Sequence, residues 1–296
     1  MRTILAATCI TLLLVPAVML SWGEKGHLLV NRLAIEFAAR DLPPFMETGK
    51  GRLIYNAYEP DRWREEAGSP MNTAQAPDHF FDSEMWGRIS TLETDRYAFM
   101  AKLVERKIDL SKVGYLPYAI VETYGRLTNA FRRYRAAATP EDRDAAQANA
   151  VLYGGILGHY VGDGTMPMHL TIHYNGWADG VANPKNFTKD RMFHSRYENA
   201  YVNAAITDAA VRPLVRRPRR LENVTNGVRA YLEQTFSEVV PMYELEQAGE
   251  FNPESPRPKG TALVASQLAR AATMLGDLWY TAWVESGEPV PQPPRP

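Results

Sequence analysis

The chain has little cysteine, little net charge and few long apolar runs, and each shortage excludes something. Its 296 residues include one cysteine, Cys9. One thiol cannot form an intramolecular disulfide or a multi-thiolate metal site. Lysine and arginine number 33 against 34 acidic residues, a formal net charge of -1. This excludes a globally basic nucleic-acid binder but not a local basic patch. After residue 20 no apolar stretch approaches the roughly 17 to 25 residues of a spanning helix. No repeat of about 20 to 50 residues marks a solenoid. Hydrophobic residues at 45% and charged residues at 23% describe an ordinary globular protein rather than a disordered chain.

The one long apolar run is at the start. In MRTILAATCITLLLVPAVMLS, Arg2 precedes apolar residues from Ile4 to Leu20, and Ser21 closes the segment. Residues 1–21 read as a secretory signal peptide, with an uncleaved anchor as the alternative. Met19 is larger than the residue usual three positions before a cut. Cleavage after Ser21 would start the mature protein at Trp22, secreted or periplasmic. It would also remove Cys9, so a metal would have to be held by histidine, carboxylate and backbone ligands.

Helical spacing of apolar residues recurs over 28–40, 96–106, 119–138, 141–158, 223–240 and 260–285, while strand-like alternation is scarce. Thr139-Pro140-Glu141 is a helix start, and Asp41-Leu42-Pro43-Pro44 a helix stop. Regions 47–95 and 170–192, rich in Gly, Pro, Asn and Asp, read as long loops. The expected fold is all-α, one mainly helical domain over 22–286. A proline-rich, disordered tail is expected at 287–296.

The histidines carry the chemistry. In Gly158-His159-Tyr-Val-Gly-Asp163-Gly-Thr-Met-Pro-Met-His169, His159 and Asp163 are four apart and share a helix face. The glycines and Pro167 are expected to end that helix and let His169 turn back beside the pair. His194 and Glu198 repeat the spacing at another helix start. One such pair is ordinarily a surface contact worth a few tenths of a kcal/mol. Two pairs, with His27 and His79, leave only His173 of the six histidines as an ordinary loop residue. Imidazole with carboxylate is the ligand set expected for zinc when thiolate is absent.

In order, Trp22-Gly-Glu-Lys-Gly-His27, Asp61-Arg-Trp-Arg64, Asp78-His79-Phe80-Phe81-Asp82, His159-x3-Asp163-x5-His169 and His194-x3-Glu198 resemble the ligand series of one superfamily. It contains the zinc-dependent bacterial phospholipases C and the single-strand-specific zinc nucleases of fungi and plants. The resemblance runs from Trp22 to about Glu198 and implies a helical domain around three zinc ions. It would place Asp61, His79, His159 and Asp163 on one zinc. The terminal amine and carbonyl of Trp22, with His27 and a bridging Asp163, would take the second, and His169, His194 and Glu198 the third. Such dications lower the pKa of bound water towards neutrality, which points to phosphodiester hydrolysis. Asp61 would orient or deprotonate the attacking water, and Arg64 would neutralise charge on the phosphoryl oxygens.

Two substrates remain. Single-stranded DNA or RNA is placed first, on the Trp-x4-His opening, the Asp-x2-Arg pair and Phe80, where the nucleases stack a base. The alternative for Phe80 and Phe81 is the core, expected for one of the two. The basic run Arg212–Arg220 would track a phosphate backbone or be a solvated loop. Phospholipid is the alternative substrate, because Glu198 replaces the nucleases' usual aspartate and Met-Pro-Met-His resembles the phospholipases C. His173-Tyr-Asn-Gly-Trp177 departs from both patterns. A non-catalytic secreted metal-binding protein is the reading from another class.

Overall fold

The structure, a computed structural model, describes residues 22–64 and 66–289. The expected signal segment with Cys9, and residues 290–296 of the expected tail, lie outside the described residues.

The described residues are mainly helical and contain no β-strand, only an isolated bridge between Tyr174 and Gly176. A hairpin of two long helices, Leu116–Ala136 and Pro140–Asp163, forms the centre. The first helix, Gly23–Ala38, and the last, Pro258–Glu285, pack against it. The second hairpin helix starts as expected. Thr139 caps it by accepting the Asp142 amide at 3.1 Å, and Pro140 occupies the first turn, where no amide proton is needed. Trp279 of the last helix is buried and donates its indole N–H to the Gly154 carbonyl at 3.1 Å, tying that helix to the hairpin. One hydrophobic core runs from Trp22 to Ala282. No helix among the described residues is long and apolar enough to cross a membrane.

Two expectations about backbone are corrected. Residues 47–95 are not a long loop but a succession of short helical turns. Pro60, Pro70 and Pro77 lie in the first turns of Glu59–Arg62, Pro70–Gln75 and Ala76–His79, so these prolines start helices. Region 170–192 is irregular as expected, with no helix between Leu170 and Phe193.

The second correction concerns the glycines of 158–164. Gly158 and Gly162 do not stop the helix, which runs unbroken to Asp163 and ends at Gly164, as expected of that glycine. They allow close approach instead. A Cβ on Gly158 would collide with the Asn31 side chain, and one on Gly162 would sit 2.8 Å from His27 Nδ1. Asn31 and His27 both belong to the first helix. Its N-terminal part can therefore lie directly on the C-terminal turns of the Pro140–Asp163 helix, which brings His27 to Asp163.

Candidate metal centre and cleft

His159 and Asp163, one turn apart at the end of that helix, are fully buried, with His159 Nε2 3.4 Å from Asp163 Oδ2. His79 ends the Ala76–His79 turn and points Nδ1 to within 3.2 Å of Asp163 Oδ2 and 3.6 Å of Asp61 Oδ1. His27 Nε2 lies 3.5 Å from Asp163 Oδ1, its ring stacked on His159 with centroids 4.1 Å apart. His169 Nδ1 is also 3.5 Å from Asp163 Oδ1. Asp163 is the hub on which four imidazoles converge.

Beside it, His169, His194 and Glu198 form a second gathering, with His194 Nε2 3.1 Å from Glu198 Oε2. His194 lies in the Phe193–Ser195 turn and Glu198 in the π-helical turn Arg196–Tyr201. Such π-turns are rare and concentrate at functional sites. This one is braced from behind by Tyr197, fully buried, whose hydroxyl donates to Gln267 Oε1 at 2.7 Å.

The electrostatics suit a cation. Burial holds His79, His159 and His169 well below the usual histidine range, and neighbouring cationic groups add to this, so the rings are neutral and offer lone pairs. His159 Nδ1 donates to the Ala57 carbonyl at 2.8 Å, which leaves Nε2 unprotonated towards the carboxylates. A backbone carbonyl fixing the tautomer of a ligand histidine is a recurrent arrangement around metals. His79 Nε2 and His194 Nδ1 are buried with no hydrogen-bond partner among the described residues. Burial raises the Glu198 carboxyl, and the nearby His194 offsets part of that. The nitrogen–oxygen separations around Asp61 and Asp163 run from 3.2 to 3.7 Å. Two ligands about 2.05 Å from a tetrahedral zinc stand about 3.3 Å apart. The residues fit the ion.

All eight side-chain ligand candidates fall into three groups able to hold a metal ion: His27, Asp61 and His159; His79, His159 and Asp163; and His169, His194 and Glu198. The third group coincides with the expected third set. His27 adjoins Asp61 and His159 as well as Asp163. The Trp22 indole is buried and donates to the Gly162 carbonyl at 2.8 Å, one residue before Asp163. Its expected amine ligand depends on a cleavage outside the described residues. His173 belongs to none of the three groups; it stacks on Trp177 at 3.7 Å in the loop beyond His169.

Above His79, His169 and His194 opens a cleft of about 430 Å³. Arg64 and Phe80 line it, and Arg64 Nη1 reaches Asp61 Oδ1 at 3.4 Å. Phe80 is half-buried while Phe81 is fully buried in the core, so the pair divides as expected. The basic run lies outside this lining. Arg212 pairs with Glu36 and Asp208, Arg216 with Asp277, Arg217 with Asp41 and Arg220 with Glu288. Those pairs fasten the 212–220 segment to the first helix and to the C-terminal part of the chain. Sequence reasoning gave no role to Asp82, Met85, Lys112 or Tyr174, which also line the cleft. Asp82 sits three residues after His79, and that adjacency is the one signal the sequence carried.

Fold and site together define a helical protein with a buried histidine–carboxylate centre beneath an open cleft. No protein-family model matches the chain, and no curated protein matches it. Among solved structures it is similar to the alpha toxin from Clostridium absonum, with 14% identity, 88% of this chain covered and a TM-score of 0.43. It is also similar to the Clostridium perfringens alpha-toxin of an avian strain, at 14% identity, the same coverage and a TM-score of 0.37. The chain spans 63% of the length of each of these toxins.

Proposed function

We propose that this chain is an exported, zinc-dependent phosphodiester hydrolase. Residues 22–286 would form one catalytic unit behind a leader of residues 1–21. The observation that carries the reading is the convergence of three metal-competent groups directly beneath a cleft that also holds an arginine. His79, His159, Asp61 and Asp163 would hold one ion, Trp22, His27 and Asp163 a second, and His169, His194 and Glu198 a third. When bound, zinc would acidify a water and withdraw charge from a phosphoryl oxygen. Asp61 would orient that water and accept its proton. Arg64, already on Asp61 and lining the cleft, would face the phosphoryl oxygens and neutralise the charge they gain. Burial keeps His79, His159 and His169 neutral, as ligands must be.

A phospholipid is the better-supported substrate, which reverses the order read from the sequence. The Arg212–Arg220 run, the sequence feature proposed to track a nucleic-acid backbone, is held in ion pairs away from the cleft. Among the described residues the cleft wall carries Arg64 and Lys112 as cations, beside Phe80, Met85 and Met168. That suits one phosphodiester with an apolar neighbour better than a tracked polyanion. Single-stranded nucleic acid stays as the second reading because Phe80 is half-buried at the cleft, where a base could stack. Protein processed to Trp22 should be assayed for zinc content and for turnover of phosphatidylcholine, single-stranded DNA and RNA in one buffer. Zinc well below one ion per chain, with chelation changing neither stability nor activity, would refute the hydrolase. Faster turnover of the nucleic acids would restore the nuclease.

A further inference from the structure

Among the described residues, Asp82 is the one carboxyl lining the cleft, and none of the metal groups uses it. It is 6% exposed, and its Oδ1 is buried with no hydrogen-bond partner among the described residues. The hydroxyl of Ser83, next in the chain, is also buried without a partner. Neither cation of the cleft serves Asp82. Arg64 is committed to Asp61, and the Lys112 ammonium lies 3.9 Å from Asp109, although the adjacent Val113 carbonyl accepts the Asp82 amide at 2.8 Å. Burial, with nearby Glu84 adding to it, pushes the Asp82 carboxyl up to about 7. A buried, unpaired acceptor of this kind costs free energy unless something supplies donors.

We infer that Asp82 is a specificity-determining residue that receives the ammonium of a phosphate ester of a primary amino alcohol, with the phosphate on the metal side of the cleft. This rests on the hydrolase reading above and names the head-group side of the same site. A primary ammonium brings three N–H donors to the carboxylate of Asp82. A quaternary ammonium has none; proteins take it in cages of several aromatic faces, and the described lining of this cleft offers two, Phe80 and Tyr174, beside Met85, Ser111 and Lys112. Phe80 and Met85 would cover the short carbon chain between nitrogen and phosphate.

The test is calorimetric binding of phosphoethanolamine, its mono-, di- and trimethylated forms, and glycerol phosphate to the zinc-loaded protein. Phosphoethanolamine should bind at least about tenfold more tightly than phosphocholine, about 1.4 kcal/mol. Affinity should fall stepwise as each N–H is replaced. In Asp82→Asn the preference over glycerol phosphate should shrink about tenfold. Equal binding across the methylated series would overturn the inference with unaltered protein alone, even if the variant failed to fold. An Asp82→Asn protein of normal zinc content that kept the preference would overturn it too. The two readings fail separately. Selective binding without hydrolysis of phosphatidylethanolamine or phosphatidylcholine refutes the phospholipase; hydrolysis of both at equal kcat/KM, with equal binding, refutes the role of Asp82.

Discussion

Asp163→Asn is the sharpest perturbation of the proposed centre. The carboxylate faces His27, His79, His159 and His169 at 3.2 to 3.5 Å, four of the candidate ligands at once. The amide keeps the shape and removes the negative charge together with one of two ligand oxygens. Both ions proposed to share Asp163 should weaken, whereas Glu198→Gln touches only the group with His169 and His194. Ligand binding stabilises by RT ln(1 + [L]/Kd), so a 100-fold weakening at saturating zinc removes about 2.7 kcal/mol per ion. Two ions amount to about 5 kcal/mol in Asp163→Asn, against about 2.7 in Glu198→Gln. At roughly 2 to 4 °C per kcal/mol for a domain of this size, the zinc-dependent rise in Tm should shrink by about 10 to 20 °C in the first variant and about 5 to 10 °C in the second. Calorimetric melting with and without added zinc, and metal counts by mass spectrometry, provide the readout. Loss of one ion in both variants, with equal shifts in Tm, would show that Asp163 does not bridge.

Other consequences concern parts of the fold around the centre. Phe81→Ala should destabilise by about 3 to 5 kcal/mol in chemical unfolding, as expected for a large ring removed from the core, while Phe80→Ala should leave the unfolding midpoint within about 0.5 kcal/mol and raise KM instead. Arg216→Ala removes the guanidinium from the buried Asp277, which keeps the Arg219 amide, and should cost about 2 kcal/mol, reduced because the arginine is partly exposed. It should leave the salt dependence of substrate turnover as it is; a flattened salt dependence without destabilisation would return the basic run to the substrate path. His173 has a folded pKa lowered by burial, so below its ordinary value of 6.5 the unfolded chain binds the extra proton and stability falls as pH drops. Urea unfolding at pH 7.5 and 5.5 should show a loss that is smaller in His173→Asn by up to about 1.4 kcal/mol per pH unit below 6.5, the remainder coming from His79, His159 and His169, and an identical pH response in the two proteins would contradict it.

Which of these features a reader could have found in the sequence depends on the range of the physics behind each. His159 with Asp163 and His194 with Glu198 were legible because four-residue spacing on a helix is a local rule, and the structure closes both pairs within 3.4 Å. The ends of the Pro140–Asp163 helix show the limit of local rules. Thr139 and Pro140 announce the start, but Gly158 and Gly162 read as a stop because their purpose lies in another helix, at Asn31 and His27, more than a hundred residues away. The basic run failed for the same reason. Its partners Glu36, Asp41, Asp277 and Glu288 are distant in sequence, so a string of arginines that looks free is a strap. Asp82 was hidden differently. Its Oδ1 has no partner among the described residues, and a missing partner leaves no pattern in a sequence; only a three-dimensional count of donors and acceptors makes an unsatisfied carboxyl oxygen visible. What long-range packing hides is recovered by asking where each buried polar group finds its complement, and in this cleft that question leads to the candidate metal ligands and then to the proposed substrate.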